Sequence, residues 1–146
     1  MVAALALVVG ACAAPAASTA PSAAPASVAA PEVVASGEFH DVDGSATGMV
    51  ALKHLADGSF TVVLEDFETA GIDHTNVVMV TNADVAATTD IDQSAILDLG
   101  PLKAANGMQD YSVPSEMSAD AMGYQSVVLW DTAMLHALAA APLTEP

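Results

Sequence analysis

The aromatic residues of this chain are confined to its second part, which limits where a packed domain can form. All six lie beyond residue 36: Phe39, Phe60, Phe67, Tyr111, Tyr124 and Trp130. The first 36 residues are mostly Ala, Val, Pro, Ser and Leu, with Glu32 as the single acid. Repeated prolines interrupt helices and central strands, and small side chains bury little area. The sequence therefore predicts one folded domain over residues 37–143, preceded by a segment without a core.

The first residues are typical of an export signal. The apolar run Met1–Val9 is too short to span a bilayer but suits the apolar region of a signal peptide. Gly10 and Ala11 precede Cys12, and small residues before a cysteine resemble a lipobox. This resemblance implies a diacylglycerol on the Cys12 thiol, cleavage before it and acylation of the new amino terminus, which together anchor a protein stably. A basic residue expected at the start of a signal is missing, and the alternative is a secretory signal with an incidental cysteine.

We expect a signal segment at residues 1–11 and a disordered Ala/Pro/Ser tether at 12–36. The membrane is then a partner through lipidated Cys12, and the domain faces the periplasm or the exterior of a bacterial cell envelope. Cys12 is the only cysteine of the chain. The domain can therefore form no internal disulfide and no cysteine-ligated metal site.

The charge of the chain excludes some partners. Two lysines and no arginine stand against 18 acids, and the net charge is -16. Nucleic acids are excluded as partners because phosphate binding depends on Lys and Arg. A basic patch for anionic lipid headgroups is excluded for the same reason. The acids are spread along the chain and favour a solvated surface; attraction of cations or of a basic partner is the functional alternative.

Short apolar and β-branched runs separated by turn residues follow Gly37 and predict an all-β antiparallel sandwich. A hairpin is expected from strands 45–55 and 60–67 around the Asp57-Gly58 turn. Further strands are expected at 75–81, 95–99, 110–113 and 125–130. Loops are expected at 82–94 and 114–123. Residues 132–141 fit either a helix by propensity or a strand by spacing.

No catalytic constellation stands out, and we expect a protein that is not an enzyme. The sequence requires no cofactor and leaves open whether one is bound. The run Asp73-His74-Thr75-Asn76 at a strand entrance is the most polar short cluster and a candidate ligand or metal site, with a solvated turn as the alternative. The segment 41–44 (Asp-Val-Asp-Gly) begins like a calcium loop but lacks its later ligands, which favours a turn. His40 and His54 are expected at the surface.

The order of motifs resembles the DM thirteen domain, found in Skeletor-type animal proteins and in bacterial lipoproteins. The resemblance covers residues 37–143. It rests on Gly37-x-Phe39, Leu64-x-x-Phe67, Leu99-Gly100-Pro101-Leu102-Lys103, Asn106-Gly107-x-Gln109-x-Tyr111-x-Val113-Pro114 and Tyr124-x-Ser126-Val127-Val128-Leu129-Trp130. The family is regarded as a β-sandwich with a proposed role in electron transfer, which the resemblance implies here.

The chain departs from the family at the residue on which the proposed electron transfer depends. Members usually carry a cysteine directly after the tryptophan, where this chain has Asp131 after Trp130. A carboxylate cannot pass through the oxidation states of a thiol. If Val128 and Trp130 face inward, Asp131 faces outward unless a bulge turns it toward His136 or a backbone amide. Two hypotheses remain: a noncatalytic envelope domain whose redox role is in question, or a module that binds a small ligand or an envelope protein, with Asp73, His74, Trp130 and His136 as candidate contacts.

Overall fold

Two antiparallel sheets form the domain, as the sequence predicts. The computed structural model describes residues 29–71 and 73–146; the signal segment, Cys12 and most of the expected tether lie outside them. The strands are β1 (Glu32–Glu38), β2 (His40–Asp41), β3 (Ala46–His54), β4 (Phe60–Thr69), β5 (Thr75–Val80), β6 (Leu97–Pro101), β7 (Asn106–Ser112), β8 (Ser126–Asp131) and β9 (His136–Pro142). Short 3-10 helices cover Thr88–Asp90, Gln93–Ala95 and Ser115–Gly123. No helix among the described residues is long and apolar enough to cross a membrane.

The sheets have the orders β1-β3-β4-β7 and β2-β9-β8-β5-β6. The expected hairpin is present as β3 and β4, closed by an Asp57 carboxylate that accepts the amide of Ser59 at 3.0 Å. The inner faces meet in a core that includes Leu52, Leu64 and Leu129, each at most 1 % exposed. Alternation along each strand sends these apolar side chains inward.

The central strand β8 of the five-stranded sheet is buried on both faces. Val127 and Leu129 face the sandwich interior, whereas Val128 and Trp130 belong to a second cluster with Val85. Val128 and Trp130 therefore do not face the sandwich interior, which was the condition for an outward-facing Asp131. The connection between β5 and β6, expected as a loop, covers the outer face of the sheet with Val85 and Ile91, which makes every residue of β8 buried.

The predicted tether is too long at its carboxyl end. Residues 32–36 were assigned to it, but they begin β1 and pair with β3 from Glu32↔His54 onward. The chain changes sheets between Glu38 and His40. Just before this crossing, at Gly37, a Cβ atom would lie 1.9 Å from the carbonyl oxygen of Pro142. Phe39 follows and packs edge-on against Phe67, with ring centroids 5.5 Å apart. A glycine is needed here because the two sheets approach so closely.

The ambiguous segment 132–141 is a turn followed by a strand. Residues 132–135 form the turn, and β9 pairs with β8 on one side and with β2 on the other. The helix alternative is wrong. Ala137, Ala139 and Ala140 are fully buried, so packing between neighbouring layers outweighs the helix propensity of alanine.

The sandwich has two ends, which we name by one residue each. The Asp131 end carries the β2–β3, β4–β5, β6–β7 and β8–β9 connections. The Glu32 end carries the start of β1 and the β3–β4 turn, because Glu32 pairs with His54. At about 3.3 Å per residue, the ten residues of β4 separate the two ends by roughly 30 Å.

Candidate functional site

Asp131 is the last residue of β8 and its carboxylate organises the turn that follows. It is 9 % exposed, and its Oδ1 atom accepts the amides of Ala133 and Met134, each at 2.8 Å. The register of β8 against β9 shifts between Leu129 and Trp130, so a bulge precedes Asp131. The hydrogen bond from the Met134 amide, followed by that from Ala133, holds the pKa of this carboxyl below its ordinary value, although burial opposes the shift. The side chain is thus a partly buried, charged turn anchor.

Two histidines lie near this carboxylate. His136 is its cross-strand partner, and His74 precedes Thr75, which faces Asp131 from β5. The carbonyl of His74 accepts the amide of Thr132 at 2.7 Å and its hydroxyl at 2.9 Å, which ties the β4–β5 connection to the β8–β9 turn. Both imidazoles also lower the pKa of Asp131, as smaller causes.

Four of the residues singled out in the sequence therefore lie at the Asp131 end: Asp73, His74, Asp131 and His136. Trp130 does not join them, because its side chain is 6 % exposed and packs in the outer cluster with Val85. Across residues 29–71 and 73–146, no three His, Cys, Asp or Glu side chains are grouped so that they could hold a metal ion. Oδ1 of Asp131 is already used by two amides. The Asp131 carboxylate therefore holds the β8–β9 turn in place and contributes negative charge at this end.

A cleft of about 320 Å³ opens at the same end, between the edges of the two sheets. It is lined by Gly44, Ser45, Thr69, Ala70, Gly71, Asp73, Thr75 and Leu138. Thr75 is 3 % exposed, and its hydroxyl makes a long 3.3 Å hydrogen bond to the carbonyl of Asp73. Of these residues the sequence singled out Asp73 and Thr75, in the polar cluster 73–76, and Gly44, in the segment that begins like a calcium loop. The others carry no local signal, because separate connections and strands bring them together.

A buried polar network supports the neighbouring β6–β7 connection, and sequence reasoning did not find its role. Gln109 Oε1 accepts the amides of Lys103 and Ala104 at 3.1 and 3.2 Å, and its Nε2 donates to the carbonyl of Ala104 at 2.8 Å. The Tyr111 hydroxyl donates to the same Oε1 at 2.8 Å. Burial raises the pKa of Tyr111. The two-residue spacing of Gln109 and Tyr111 on one strand face was the available signal.

The remaining candidates have local structural partners. Asp41 accepts the amide of Ala46 at 3.2 Å, and Asp43 accepts the hydroxyl of Thr88 at 3.0 Å. The two carboxylates thus bond in different places, which fits a turn better than a calcium loop. His40, half-buried, hydrogen-bonds the carbonyl of Val85 at 3.0 Å through Nε2. His54, also half-buried, packs against Phe60 with ring centroids 4.8 Å apart. Both histidines lie at the surface with their side chains half-buried.

Comparison with known proteins identifies the family. No curated protein and no solved structure matches the chain. The family model described as Electron transfer DM13 matches residues 35–143, well over half of the chain and nearly all of the two sheets. The match begins within β1, which agrees with the domain boundary seen in the structure. The chain therefore belongs to the DM13 family of proposed electron-transfer domains.

Proposed function

We propose that this protein is a noncatalytic, lipid-anchored component of the bacterial cell envelope in which the thiol chemistry of the family is lost. The proposal rests on the hydrogen bonds of the Asp131 carboxylate, which stands where the family has its cysteine. Its Oδ1 atom is engaged by the amides of Ala133 and Met134, and the sole cysteine of the chain is Cys12 in the leader. A carboxylate held in this way anchors a turn and offers no thiol to oxidise.

The position of β1 shows at which end of the sandwich the proposed tether would join the domain. The proposed anchor at Cys12 joins the domain through Glu32, so the tether meets the sandwich at the Glu32 end. Asp73, His74, Asp131 and His136 lie at the opposite end, roughly 30 Å away along the strands. On a membrane-anchored chain, that end is the one farther from the point where the tether joins the domain, so the tether does not obstruct it.

A second candidate function is a module that binds a small ligand or a protein. The cleft at the Asp131 end favours it, because about 320 Å³ lies at the lower limit of small-ligand sites and a carboxylate stands on its rim. This function needs no redox group and is compatible with the same anchor.

The anchor is tested by labelling expressing cells with radioactive palmitate and determining the mass of the mature amino terminus. We expect label in the protein and cleavage before Cys12. A Cys12→Ser chain should lose the label and leave the membrane fraction. Equal membrane association of the two chains would contradict the lipid anchor.

The loss of redox function is tested by an absorption spectrum of the full chain, purified from a native-like host, before and after dithionite. We expect no visible band and no change on reduction. A band that changes on reduction would show a bound redox centre and overturn this part of the proposal. Asp131→Asn and His136→Gln variants would then identify its ligands.

A further inference from the structure

The cleft at the Asp131 end has a polar rim and an apolar wall. Ser45, Thr69 and Asp73 are polar residues of its lining, and Leu138 is an apolar one. The Thr69 hydroxyl donates to the carbonyl of Ser45 at 2.9 Å and keeps its capacity to accept. Thr75, almost fully buried, also lines it. These groups can accept N–H hydrogen bonds and cover a short alkyl chain at the same time.

The charge in the lining of the cleft is of one sign. Its described lining contains no Lys, Arg or His. Asp43 precedes Gly44, and Glu68 lines an adjoining cleft that shares Ser45, Thr69 and Ala70 with the first. An anionic ligand is therefore repelled here, whereas a cation is attracted.

The two lysines of the chain do not neutralise this region. Lys53 forms an ion pair with Glu65 at 2.8 Å. Lys103 extends along β7, where its ammonium lies 3.9 Å from the Asp110 carboxylate and 4.6 Å from the centre of the Tyr111 ring. Neither ammonium group lies in the lining of the cleft, where Asp73 is the charged residue, with Glu68 in the adjoining cleft.

From this geometry we propose that the cleft binds the ammonium or guanidinium group at the end of an alkyl chain. The cationic group lies against the Asp73 carboxylate and the rim hydroxyls, and the alkyl chain lies along Leu138. This inference deepens the binding function proposed above and rests on it. A small amine and a lysine or arginine side chain of a protein share this chemistry.

The test is a titration of the full ¹⁵N-labelled chain with N-acetyl-lysine methylamide, monitored by amide chemical shifts. N-acetyl-norleucine methylamide, which lacks the ammonium, is the control ligand. We expect the lysine compound to shift the amides of Ser45, Ala70 and Gly71, and the norleucine compound to leave them unchanged.

The carboxylate is tested with a matched pair of variants. Asp73→Asn should weaken binding about fivefold, the range expected for an exposed charge pair. Asp120→Asn removes an exposed acid near the Glu32 end and should leave the affinity unchanged. The amide spectra of both variants also report whether the fold is kept.

A lysine-containing hexapeptide distinguishes the two sources of the cation. Tighter binding of the peptide through the same amides assigns the site to a protein side chain, and equal affinity assigns it to a small amine; both results support the proposal. Three results would overturn it. They are chemical-shift changes spread over the whole acidic surface, equal shifts with the lysine and norleucine compounds, and an equal loss of affinity in Asp73→Asn and Asp120→Asn. None of these results depends on the visible spectrum, so the failure of the inference is distinguishable from that of the proposed loss of redox function.

Discussion

Asp131 and Met134 are joined by a hydrogen bond of 2.8 Å from the Met134 amide to Asp131 Oδ1, within the turn that connects β8 to β9. The same oxygen accepts the amide of Ala133. Met134 and Leu135, whose apolar side chains are exposed, therefore belong to a turn whose backbone is fixed by the Asp131 carboxylate. Leu135 has a φ of 56°, a left-handed conformation unusual for leucine, which the anchored turn maintains.

The first prediction concerns acid stability. The folded-state pKa of Asp131 is lowered, so its contribution to stability is complete above the pKa of the unfolded chain and is lost as the pH falls through the folded value. We expect wild type to lose more unfolding free energy than Asp131→Asn between about pH 5 and pH 2. Urea unfolding at several pH values measures the difference. If the unfolding free energies of the two proteins fell in parallel with pH, Asp131 would not be the source of the acid sensitivity.

The second prediction concerns the network under the β6–β7 connection. Gln109→Ala leaves the amide of Lys103 and both backbone groups of Ala104 without this partner. We expect a loss of about 1–3 kcal/mol in the free energy of unfolding. Ser112→Ala, on the same strand but exposed, should change it by less than about 0.5 kcal/mol. Equal urea midpoints for Gln109→Ala and wild type would show that water replaces the side chain without cost.

The third prediction concerns the close approach of β1 to β9 at Gly37. Gly37→Ala places a methyl group 1.9 Å from the Pro142 carbonyl oxygen, a backbone atom that cannot rotate away. Displacement of β1 or β9 should cost about 3 kcal/mol or more. Gly123→Ala meets no atom within 4 Å and is the matched control. Thermal unfolding compares the two, and similar midpoints would mean that β1 is dispensable.

The fourth prediction concerns the outer cluster. Val85 is fully buried in the same outer cluster as Trp130, which is the only tryptophan of the chain. Val85→Ala removes two methyl groups and should cost about 2 kcal/mol. It should also shift the tryptophan emission to longer wavelength, because water gains access to the ring. The neighbouring exposed Ala86→Ser is the control. An unchanged emission maximum in Val85→Ala would contradict a role of Val85 as a cover for Trp130.

Elements with local signals were predictable from the sequence. The β3–β4 hairpin follows from β-branched runs on both sides of Asp57-Gly58, since turn chemistry and strand propensity act over a few residues. The buried strands β5 and β8 follow from continuous apolar runs. Such runs contain no alternation, however, so they could not say which face of β8 meets the sandwich interior.

The candidate site was predictable in part. Asp73, His74 and Asp131 stood out as polar residues beside apolar strands, but their proximity depends on the pairing of β5 with β8. The lining of the cleft comes from connections far apart in the chain, and Ser45 and Thr69 resemble other surface hydroxyls in sequence.

The sequence by itself determined a chain with a cysteine-free acidic domain of short strands, because composition, charge and turn residues are local properties. The tertiary structure alone decided that β1 belongs to the domain and that the alanine-rich β9 is a strand, because both depend on partners distant in sequence. It also decided that Asp131 is turned inward. A bulge and two backbone amides at one end of a closed sandwich place it there, and neither can be read from the residues around it.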